Sequence, residues 1–461
     1  MSLLEPRTTL RNPEPPTSPV MRRRGWWLVF LGFLLPGSAQ VVAGNRKLGR
    51  FGLIATFTLL FLALVAAIMF FASRETLLRA VGNGFGLLVL EIIVIAYALI
   101  WLILGFDTFR LTKLARIKGG GRWGVAVASI VAIVLPVGLA GYAASVIDAS
   151  RGLLNDVFQA TGPTQDPVDG HYTFMLLGAD SGDGRMGLRP DTLRVVTVNA
   201  ETGAATLVGV PRNLMNAPFS EGSPMRSHWP DGFNCGTSDC MANAAYTYGM
   251  NNPDLYPDAE DNNSNPGIEA TRDLLEGVTG LTIQYYMIVD MHGFEGLIDA
   301  LGGVEIDVER RIPIGVTGRP PSGYIEPGLQ TLDGETALWF ARSRSDSSDY
   351  DRMDRQRIVM EAVVSQFTPQ TLLSSYNRIA SAGGDMLQTD IPQSMVGHFT
   401  NLAERTGSLP MESIDLVPPL INSENPDFAL AHSEVQDAMA RAYQNSLPSE
   451  SPGESGDPDD G

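Results

Sequence analysis

Three long apolar stretches constrain this sequence more than any other feature. Residues 51–72, 86–105 and 125–146 are each apolar over about 20 residues, the length that an α-helix needs to cross the core of a bilayer. Backbone groups in lipid must be hydrogen-bonded within the segment, so these stretches predict membrane-spanning helices. The acidic excess behind the net charge of −18 lies mostly in the later part of the chain. We therefore expect an all-α transmembrane region followed by a domain in water.

Basic residues predict the orientation of these spans. Five of them crowd the loop before the last span, and short loops rich in Lys and Arg stay in the cytoplasm. Everything after residue 147 is then extracytoplasmic, and the chain is a multi-pass protein of the cell membrane. The five residues are Arg110, Lys113, Arg116, Lys118 and Arg122.

The first apolar stretch, residues 26–42, is shorter and contains Pro36 and Gly37. Basic residues flank it at 22–24 and at 46–50, so both flanks favour the cytoplasm. A re-entrant or interfacial hairpin satisfies both flanks, whereas the alternative is four ordinary spans with an extracytoplasmic amino terminus. A cleavable signal peptide is disfavoured, because no small-residue cleavage site follows a short apolar run.

Composition divides the whole chain into five predicted segments. The linker and the second tail lack sustained periodicity and are rich in Gly, Pro, Ser, Thr and acidic residues. The segments are a disordered cytoplasmic tail at 1–21, the membrane region at 22–147, a linker at 148–170, a folded domain at 171–445 and a disordered acidic tail at 446–461.

Short apolar runs alternate with helical patterns in the folded domain. This alternation predicts an α/β fold, an α-β-α domain around one central mixed sheet. The predicted strands are 173–177, 193–198, 206–210, 285–289 and 304–308. The predicted helices are 267–277, 293–301, 333–342 and 351–367.

The last of these helices has polar groups at its amino-terminal end. Arg352, Arg355 and Gln356 lie in its first turns, while its apolar residues recur at helical spacing. A helix amino terminus directs free N–H groups toward an anion, so this end predicts a phosphate site.

Two carboxylates lie at the ends of predicted strands. Asp180 directly follows the first strand, and Asp191 precedes the second strand with Arg189 two residues earlier. Oxygen ligands of this kind suit magnesium, which takes one or two carboxylates together with phosphate oxygens and water. The alternative is that both are turn or capping residues, since Asp favours turns.

Several arginines could bind phosphate through bidentate forks. Arg212 follows a predicted strand, Arg342 and Arg344 end a predicted helix, and Arg352 opens the next one. For a single arginine, surface salt bridging is the better interpretation. The cluster together with the acidic pair favours an anion site instead. The acids available for salt bridging are Asp346, Asp349, Asp351 and Asp354.

Other functional classes are poorly supported. The acidic composition argues against a nucleic-acid partner. We find neither a Gly-x-Ser-x-Gly elbow nor a Walker loop. Cys235 and Cys240 lie in a Gly- and Asn-rich loop and predict a small disulfide in an oxidising compartment. The alternatives are two free thiols, or a metal site with His228.

Five ordered blocks between residues 171 and 367 together resemble the LytR-CpsA-Psr family of cell-wall assembly enzymes. Any one block is weak, but their order and spacing are specific. The blocks are FMLLGAD ending at Asp180, RPDT from Arg189 to Thr192, VPR from Val210 to Arg212, YYMIVDMHGFEGLIDALGGVEIDV, and LDGETALWFARSRSDSSDYDRMDRQR.

The resemblance implies a membrane-anchored phosphotransferase. Such enzymes move a glycopolymer from a polyprenyl-pyrophosphate carrier onto peptidoglycan and release polyprenyl phosphate. It also implies Mg²⁺, with Mn²⁺ as the alternative, held by Asp180 and Asp191. The pyrophosphate-binding set would be Arg189, Arg212, Arg342, Arg344, Arg352 and Gln356, of which Arg212, Arg342, Arg344 and Arg352 act in catalysis with Asp180. Asp290 and Asp299 match blocks whose role is more structural.

Relatives of this kind also hold the prenyl chain in an apolar tunnel, although for each candidate an ordinary core position is the commoner role. The candidate lining residues are Phe294, Leu297, Ile298, Leu338, Val359 and Val363. Two positions depart from the family pattern, which commonly has Ser at Pro190 and an acid at Asn213. The second departure removes a salt bridge that would orient Arg212.

Two other functions stay open, of which the first would use the same residues. A pyrophosphatase acting on the lipid carrier would differ only in having water as the acceptor. A non-catalytic lipid-binding regulator of the cell envelope would have no need of both aspartates and the arginines. The presence of these residues argues against the regulator, but the sequence does not separate transferase from pyrophosphatase.

Overall fold

The computed structural model describes residues 18–158, 164–179, 190–237, 239–315, 318–344, 348–366 and 387–447. The chain divides into two compact units, of which the first ends at Arg151 and the second begins at Gly152. Two of the predicted site residues, Asp180 and Arg189, lie outside the described residues.

The described part of the first unit is helical. Helices α3, α5 and α6 are long and apolar enough to cross a membrane, and they contain the three predicted spans. Apolar side chains such as Phe57, Ile92 and Val134 are exposed on them, which suits helices whose solvent is lipid. The helices are α1 (Ser18–Leu34), α2 (Ser38–Ala43), α3 (Arg46–Ala72), α4 (Arg74–Val81), α5 (Gly84–Leu111) and α6 (Gly121–Val157), with a short 3-10 helix at Leu114–Arg116.

The first apolar stretch forms the two short helices α1 and α2, separated by a break. Gly37 in the break has a φ of 97°, and an added Cβ would lie 2.6 Å from the Gly49 carbonyl oxygen, so only glycine fits. Arg24 in α1 donates a hydrogen bond of 2.6 Å to the Leu111 carbonyl oxygen at the end of α5. Gly44 at the end of α2 lies against the Leu111 side chain. Both ends of this broken hairpin therefore lie beside the same residue of α5.

Polar groups of the broken hairpin are bonded within the first unit. The Gln40 amide donates to the Leu104 carbonyl oxygen at 2.8 Å and to the Thr108 hydroxyl at 2.9 Å. The Thr56 hydroxyl donates to the Pro36 carbonyl oxygen at 3.3 Å. The last bond satisfies the Pro36 carbonyl oxygen, which the helix break releases, as an apolar surrounding requires.

The second unit is built around a six-stranded mixed sheet. Its strands are β1 (His171–Ala179), β2 (Pro190–Asn199), β3 (Ala205–Val210), β4 (Tyr285–Asp290), β9 (Leu387–Thr389) and β10 (Glu412–Asp415). They lie in the order β10-β3-β2-β1-β4-β9, with β2 antiparallel to β1 and β3, and with β4 and β10 parallel to β1 and β3 respectively. Two ribbons pair β5 (Val304–Val308) with β8 (Gly328–Leu332), and β6 (Ile312–Ile314) with β7 (Gly323–Ile325). The five predicted strands all lie within these elements.

The helices of the second unit begin and end at the residues that their sequences favour. Asn265, Asp290 and Asp333 accept hydrogen bonds from amides in the first turns of α9 (from Pro266), α10 (from Met291) and α11 (from Gly334). Gly280 and Gly302 adopt the left-handed conformation that ends α9 and α10. The helices are α7 (Pro224–His228), α8 (Ala244–Asn251), α9 (Pro266–Thr279), α10 (Met291–Leu301), α11 (Gly334–Arg342), α12 (Asp349–Gln366), α13 (Gln393–Gly407) and α14 (Phe428–Ser446).

Both faces of the sheet are covered by helices, which confirms the predicted α-β-α architecture. On one face Met175 and Leu193 pack in a cluster with Leu274 of α9 and Val435 of α14. On the other face Tyr172 and Tyr285 pack with Leu402 of α13. Burial of apolar side chains on each face is the main stabilising contribution of such a layer.

A further core lies among α10, α11, α12 and the β5–β8 ribbon. Phe294, Ile298, Val359 and Val363, four of the predicted tunnel residues, belong to it. Leu297 and Leu338 are half-buried and lie outside this cluster. Asp299 joins two of the helices, because its carboxylate accepts the Gly334 amide at 2.7 Å. The lining role of the six tunnel candidates stays a prediction.

Two predicted boundaries are wrong. The tail predicted for 1–21 ends earlier, because α1 begins at Ser18 and Met21 is 1% exposed. The linker predicted for 148–170 begins later, because α6 continues to Val157, where Leu154 and Val157 are buried. Burial against later parts of the chain stabilises both helical extensions, and local composition does not reveal it.

Candidate functional site

The site lies at one edge of the central sheet. Strand β1 ends at Ala179, which pairs with Asp290 at the end of β4, while β2 begins beside it at Pro190. Leu193 of β2 pairs with Val210, the last residue of β3. Asp191 and Arg212 therefore both extend from neighbouring strands at the same edge, where ligands of open sheets commonly bind.

Arg212 bridges two carboxylates at this edge. Its Nη1 donates to Asp191 Oδ1 at 2.5 Å, and its Nε donates to Asp349 Oδ2 at 2.8 Å. Burial alone would lower the pKa of Arg212, but its bonds to Asp349 and Asp191 raise that pKa above the ordinary value. Asp191 and Asp349 therefore orient the Arg212 side chain, and Asn213 does not.

Arg352 is the buried member of the arginine cluster. Its side chain is 3% exposed, its Nη2 donates to the Asp191 carbonyl oxygen at 3.3 Å, and its Nη1 lies 3.5 Å from Asp349 Oδ1. Its Nε is buried with no partner among the residues that the structure describes. Burial is the main cause that lowers the pKa of Arg352. The buried guanidinium of Arg352 adds positive charge to the site, which suits an anionic ligand.

Arg344 is the exposed member, at 41%, and its Nη1 donates to Asp349 Oδ1 at 3.1 Å. The Asp349 carboxylate therefore contacts three guanidinium groups, those of Arg212, Arg344 and Arg352. Burial would raise the pKa of Asp349, but hydrogen bonds and charge from these arginines hold it below the ordinary value. From the sequence, Asp349 was interpreted only as a salt-bridge partner. Its position three residues before Arg352, at the start of α12, could have indicated a contact with that arginine.

A buried ion pair fixes the first turns of α12. Arg194, Gly209 and Asp415 lie in register on three adjacent strands, and the Arg194 side chain crosses over Gly209. Its guanidinium donates to Asp415 Oδ1 at 3.0 Å and to the Met353 carbonyl oxygen in α12 at 2.5 Å. Met353 directly follows Arg352, so this contact determines where Arg352 lies. A Cβ on Gly209 would meet the Asp415 carboxylate, which explains the glycine.

Other predicted arginines make different contacts. Arg342 Nη1 donates to Met291 Sδ at 2.8 Å, and its guanidinium lies 5.4 Å from the Trp339 ring. Arg355 does not add to the cluster, because it donates to the Phe340 and Ser343 carbonyl oxygens at the end of α11. Such carbonyls lack helical partners, which is why a buried arginine binds there. Gln356 is half-buried on α12, one turn after Arg352.

The alternative interpretation, that the charged residues form surface salt bridges, is correct for other arginines near this site. Arg310 lies 3.8 Å from Asp351, and Arg357 pairs with Asp354 and Glu361. These pairs are at least partly exposed and contribute little to stability. They involve none of the arginines that surround Asp349.

A magnesium ion at this edge would have few ligands from the protein. Asp191 is the predicted metal ligand that lies among the described residues, and one of its oxygens is bonded to Arg212. No group of three His, Cys, Asp or Glu within the described ranges could hold a metal. Mg²⁺ usually keeps several waters and takes one or two carboxylates with substrate phosphate, so this donor set suits it.

Cys235 and Cys240 form a disulfide with a Cα–Cα distance of 5.6 Å. This confirms the predicted pairing. It also removes the two alternatives, since neither sulfur is a free thiol or a metal ligand.

Comparison with known proteins agrees with the sequence blocks. The sequence model of the LytR_cpsA_psr family matches residues 153–432. Biofilm regulatory protein A of Streptococcus mutans is 27% identical over 55% of this chain and 59% of its own length. Polyisoprenyl-teichoic acid–peptidoglycan teichoic acid transferase TagU of Halalkalibacterium halodurans is 29% identical over 49% of this chain and 62% of its own length. The chain thus spans about three fifths of the curated relatives it matches.

Solved structures also match. The crystal structure of B. subtilis TagV has 20% identity and a TM-score of 0.43, covering 61% of this chain and 100% of that one. The LytR-Csp2A-Psr enzyme from Actinomyces oris has 20% identity and a TM-score of 0.40, covering 61% of this chain and 94% of that one.

Proposed function

This chain belongs to the LytR-CpsA-Psr family, and on that premise we propose that it is a membrane-anchored phosphotransferase. Its substrate would be a glycopolymer linked to a polyprenyl pyrophosphate, and its acceptor would be peptidoglycan. The observation that carries the proposal is the convergence of Arg212, Arg344 and Arg352 beside Asp191. Three guanidinium groups and a metal-binding carboxylate are what a pyrophosphate requires.

The reaction would be an in-line displacement at phosphorus. The acceptor hydroxyl oxygen forms a bond to the phosphorus next to the glycopolymer, and the bond from that phosphorus to the bridging oxygen breaks. Polyprenyl phosphate leaves with the bridging oxygen, and the hydroxyl proton passes to a base or to solvent. Transfer of this kind depends on positioning and charge neutralisation. Arg212, Arg344 and Arg352 would stabilise the phosphate oxygens, and Arg212 would also hold Asp191 in place.

The decisive experiment uses the full chain in detergent or nanodiscs with a polyprenyl-pyrophosphate-linked glycan. We expect transfer to peptidoglycan when acceptor is present and little phosphate release when it is absent. Equal phosphate release without acceptor would identify the protein as a pyrophosphatase instead. Tight substrate binding with no turnover in either case would contradict the enzymatic proposal.

Magnesium would be bound by Asp191 together with Asp180, and would supply positive charge to the phosphate oxygens. Removing it with EDTA should lower turnover on the order of 100-fold, since such groups stabilise charge that develops in the transition state. Asp191→Asn should give a similar loss and need more Mg²⁺ for half-maximal rate. An unchanged rate in EDTA, confirmed by metal analysis of the sample, would exclude the metal.

We also propose that the catalytic unit is extracytoplasmic and that the broken hairpin of α1 and α2 is re-entrant. Both of its ends lie at Leu111, the end of α5 that precedes the basic loop. Loops rich in Lys and Arg stay in the cytoplasm, so both ends of the hairpin would be cytoplasmic.

Single cysteines in a variant with the native pair replaced by serine test this topology. We expect Arg23→Cys, Lys47→Cys and Lys118→Cys to react with a membrane-impermeant maleimide only in opened cells. Asp231→Cys, on the exposed surface of the second unit, should react in intact cells. Labelling of Arg23→Cys in intact cells would show that the first apolar stretch crosses the membrane.

A further inference from the structure

One acidic side chain lies at the centre of the arginine cluster. Asp349 Oδ2 accepts from Arg212 Nε at 2.8 Å, and Asp349 Oδ1 accepts from Arg344 Nη1 at 3.1 Å. Arg352 Nη1 lies 3.5 Å from the same Oδ1. These three arginines come from the end of β3, the end of α11 and the start of α12, so a single carboxylate links three separate elements.

We propose that Asp349 is a positioning residue that keeps Arg212, Arg344 and Arg352 directed toward one point where phosphate binds. The inference rests on the proposed function of this site. Asp349 touches the arginines and acts on the substrate through them. The substrate class it serves is a lipid-linked pyrophosphate.

The bonding pattern leaves donors for a ligand. A guanidinium has five N–H groups. In Arg212, one N–H group on each of the three nitrogens donates to Asp191 or Asp349. Arg344 gives one of its N–H groups to Asp349 within the described residues. The carboxylate thus holds the arginines through some of their N–H groups, while further N–H groups of Arg212 and Arg344 remain for phosphate oxygens.

Helix capping does not explain why an aspartate stands at position 349. The start of α12 is capped by a different pair, in which the Ser348 amide and hydroxyl both donate to Asp351 Oδ2 at 2.7 Å. The Asp351 amide in turn donates to the Ser348 hydroxyl at 3.1 Å. This reciprocal arrangement satisfies the helix terminus, so the Asp349 carboxylate is available to the arginines.

A competing interpretation makes the opposite prediction. If Asp349 only neutralised the arginines, a phosphate would have to displace it, and removing its charge would tighten anion binding. If Asp349 positions them, removing its charge releases Arg344 and one side of Arg212, and binding weakens. Loss of alignment at a reacting centre commonly costs on the order of 10–100-fold.

The experiment compares Asp349→Asn with Asp351→Asn in the full chain. Both changes remove one negative charge from the same helix turn, but only the first removes a contact to the cluster. We expect Asp349→Asn to weaken geranyl pyrophosphate binding and lower kcat/KM by roughly 10–100-fold. Asp351→Asn should shift thermal stability and leave binding within about twofold, because its carboxylate caps the helix and touches no arginine of the cluster.

Asp349→Glu keeps the charge and tests geometry, and it should recover part of the lost binding. Tighter binding by Asp349→Asn, or equal effects of Asp349→Asn and Asp351→Asn, would overturn the inference. The Arg212→Ala variant distinguishes an error in the role of Asp349 from an error in the site itself. If Arg212→Ala loses turnover while Asp349→Asn is normal, only the role of Asp349 is wrong. If Arg212→Ala is also normal, the proposed function is wrong.

Discussion

Replacing Arg212 with alanine is expected to lower kcat/KM for glycopolymer transfer by about 10³-fold. The change removes a guanidinium from beside the phosphate. It also leaves Asp191 and Asp349 facing the substrate without the cation that now joins them. Both effects raise the free energy of an anionic transition state. Steady-state transfer by the full chain at saturating Mg²⁺ measures the loss.

Two variants control this experiment. Arg212→Lys keeps the charge, but one ammonium group cannot reproduce a planar fork between two carboxylates, so it should recover only part of the rate. Arg226→Ala removes an exposed arginine that lies 3.8 Å from the exposed Glu221, and it should leave the rate unchanged. A turnover rate of Arg212→Ala within threefold of that of the parent chain would show that Arg212 has no role in the site.

Arg194→Met is expected to lower the free energy of unfolding of the second unit by about 3–5 kcal/mol, because it leaves a buried carboxylate without its partner. Arg194 is 1% exposed and Asp415 is largely buried. The pKa of Asp415 is already raised by burial even with Arg194 present. Hydrogen exchange of the β2 and β3 amides in increasing urea measures the loss.

The double variant Arg194→Met, Asp415→Leu distinguishes an unpaired charge from a packing defect. Replacing both members of a buried pair with apolar residues is often neutral or stabilising, so the double variant should regain most of the lost stability. Arg226→Met, in a long and exposed ion pair, should cost less than about 1 kcal/mol. Equal stability of Arg194→Met and the parent chain would show that this pair contributes nothing.

Local patterns predicted part of the fold. They placed β1, β2, β3 and β4 of the central sheet within one or two residues at several ends, whereas β9 and β10 were not predicted. The helical extensions at Met21 and Leu154 were not predicted, because their burial depends on residues distant in the sequence. The break at Pro36 and Gly37 was predicted because those two residues disfavour a continuous helix.

The site was predicted only in part. Asp191, Arg212, Arg344 and Arg352 do come together, since each follows or opens an element whose end is marked in the sequence. Arg355 was grouped with them by spacing alone, and spacing along a helix does not say which turn faces another helix end. The pairing of Arg194 with Asp415 joins residues 221 positions apart, and strand patterns gave no sign of a buried charge.

The order of strands in the sheet has a consequence for chain synthesis. Strand β10 is the last to be made, yet it pairs with β3 and brings Asp415 to Arg194. While the chain emerges from its amino terminus, β1, β2 and β3 can already associate through their apolar faces. The Arg194 guanidinium then remains without its counter-charge, and β3 keeps an open edge. A ribosome-bound chain that stops before residue 412 therefore lacks the strand that pairs with β3 and the carboxylate that neutralises Arg194.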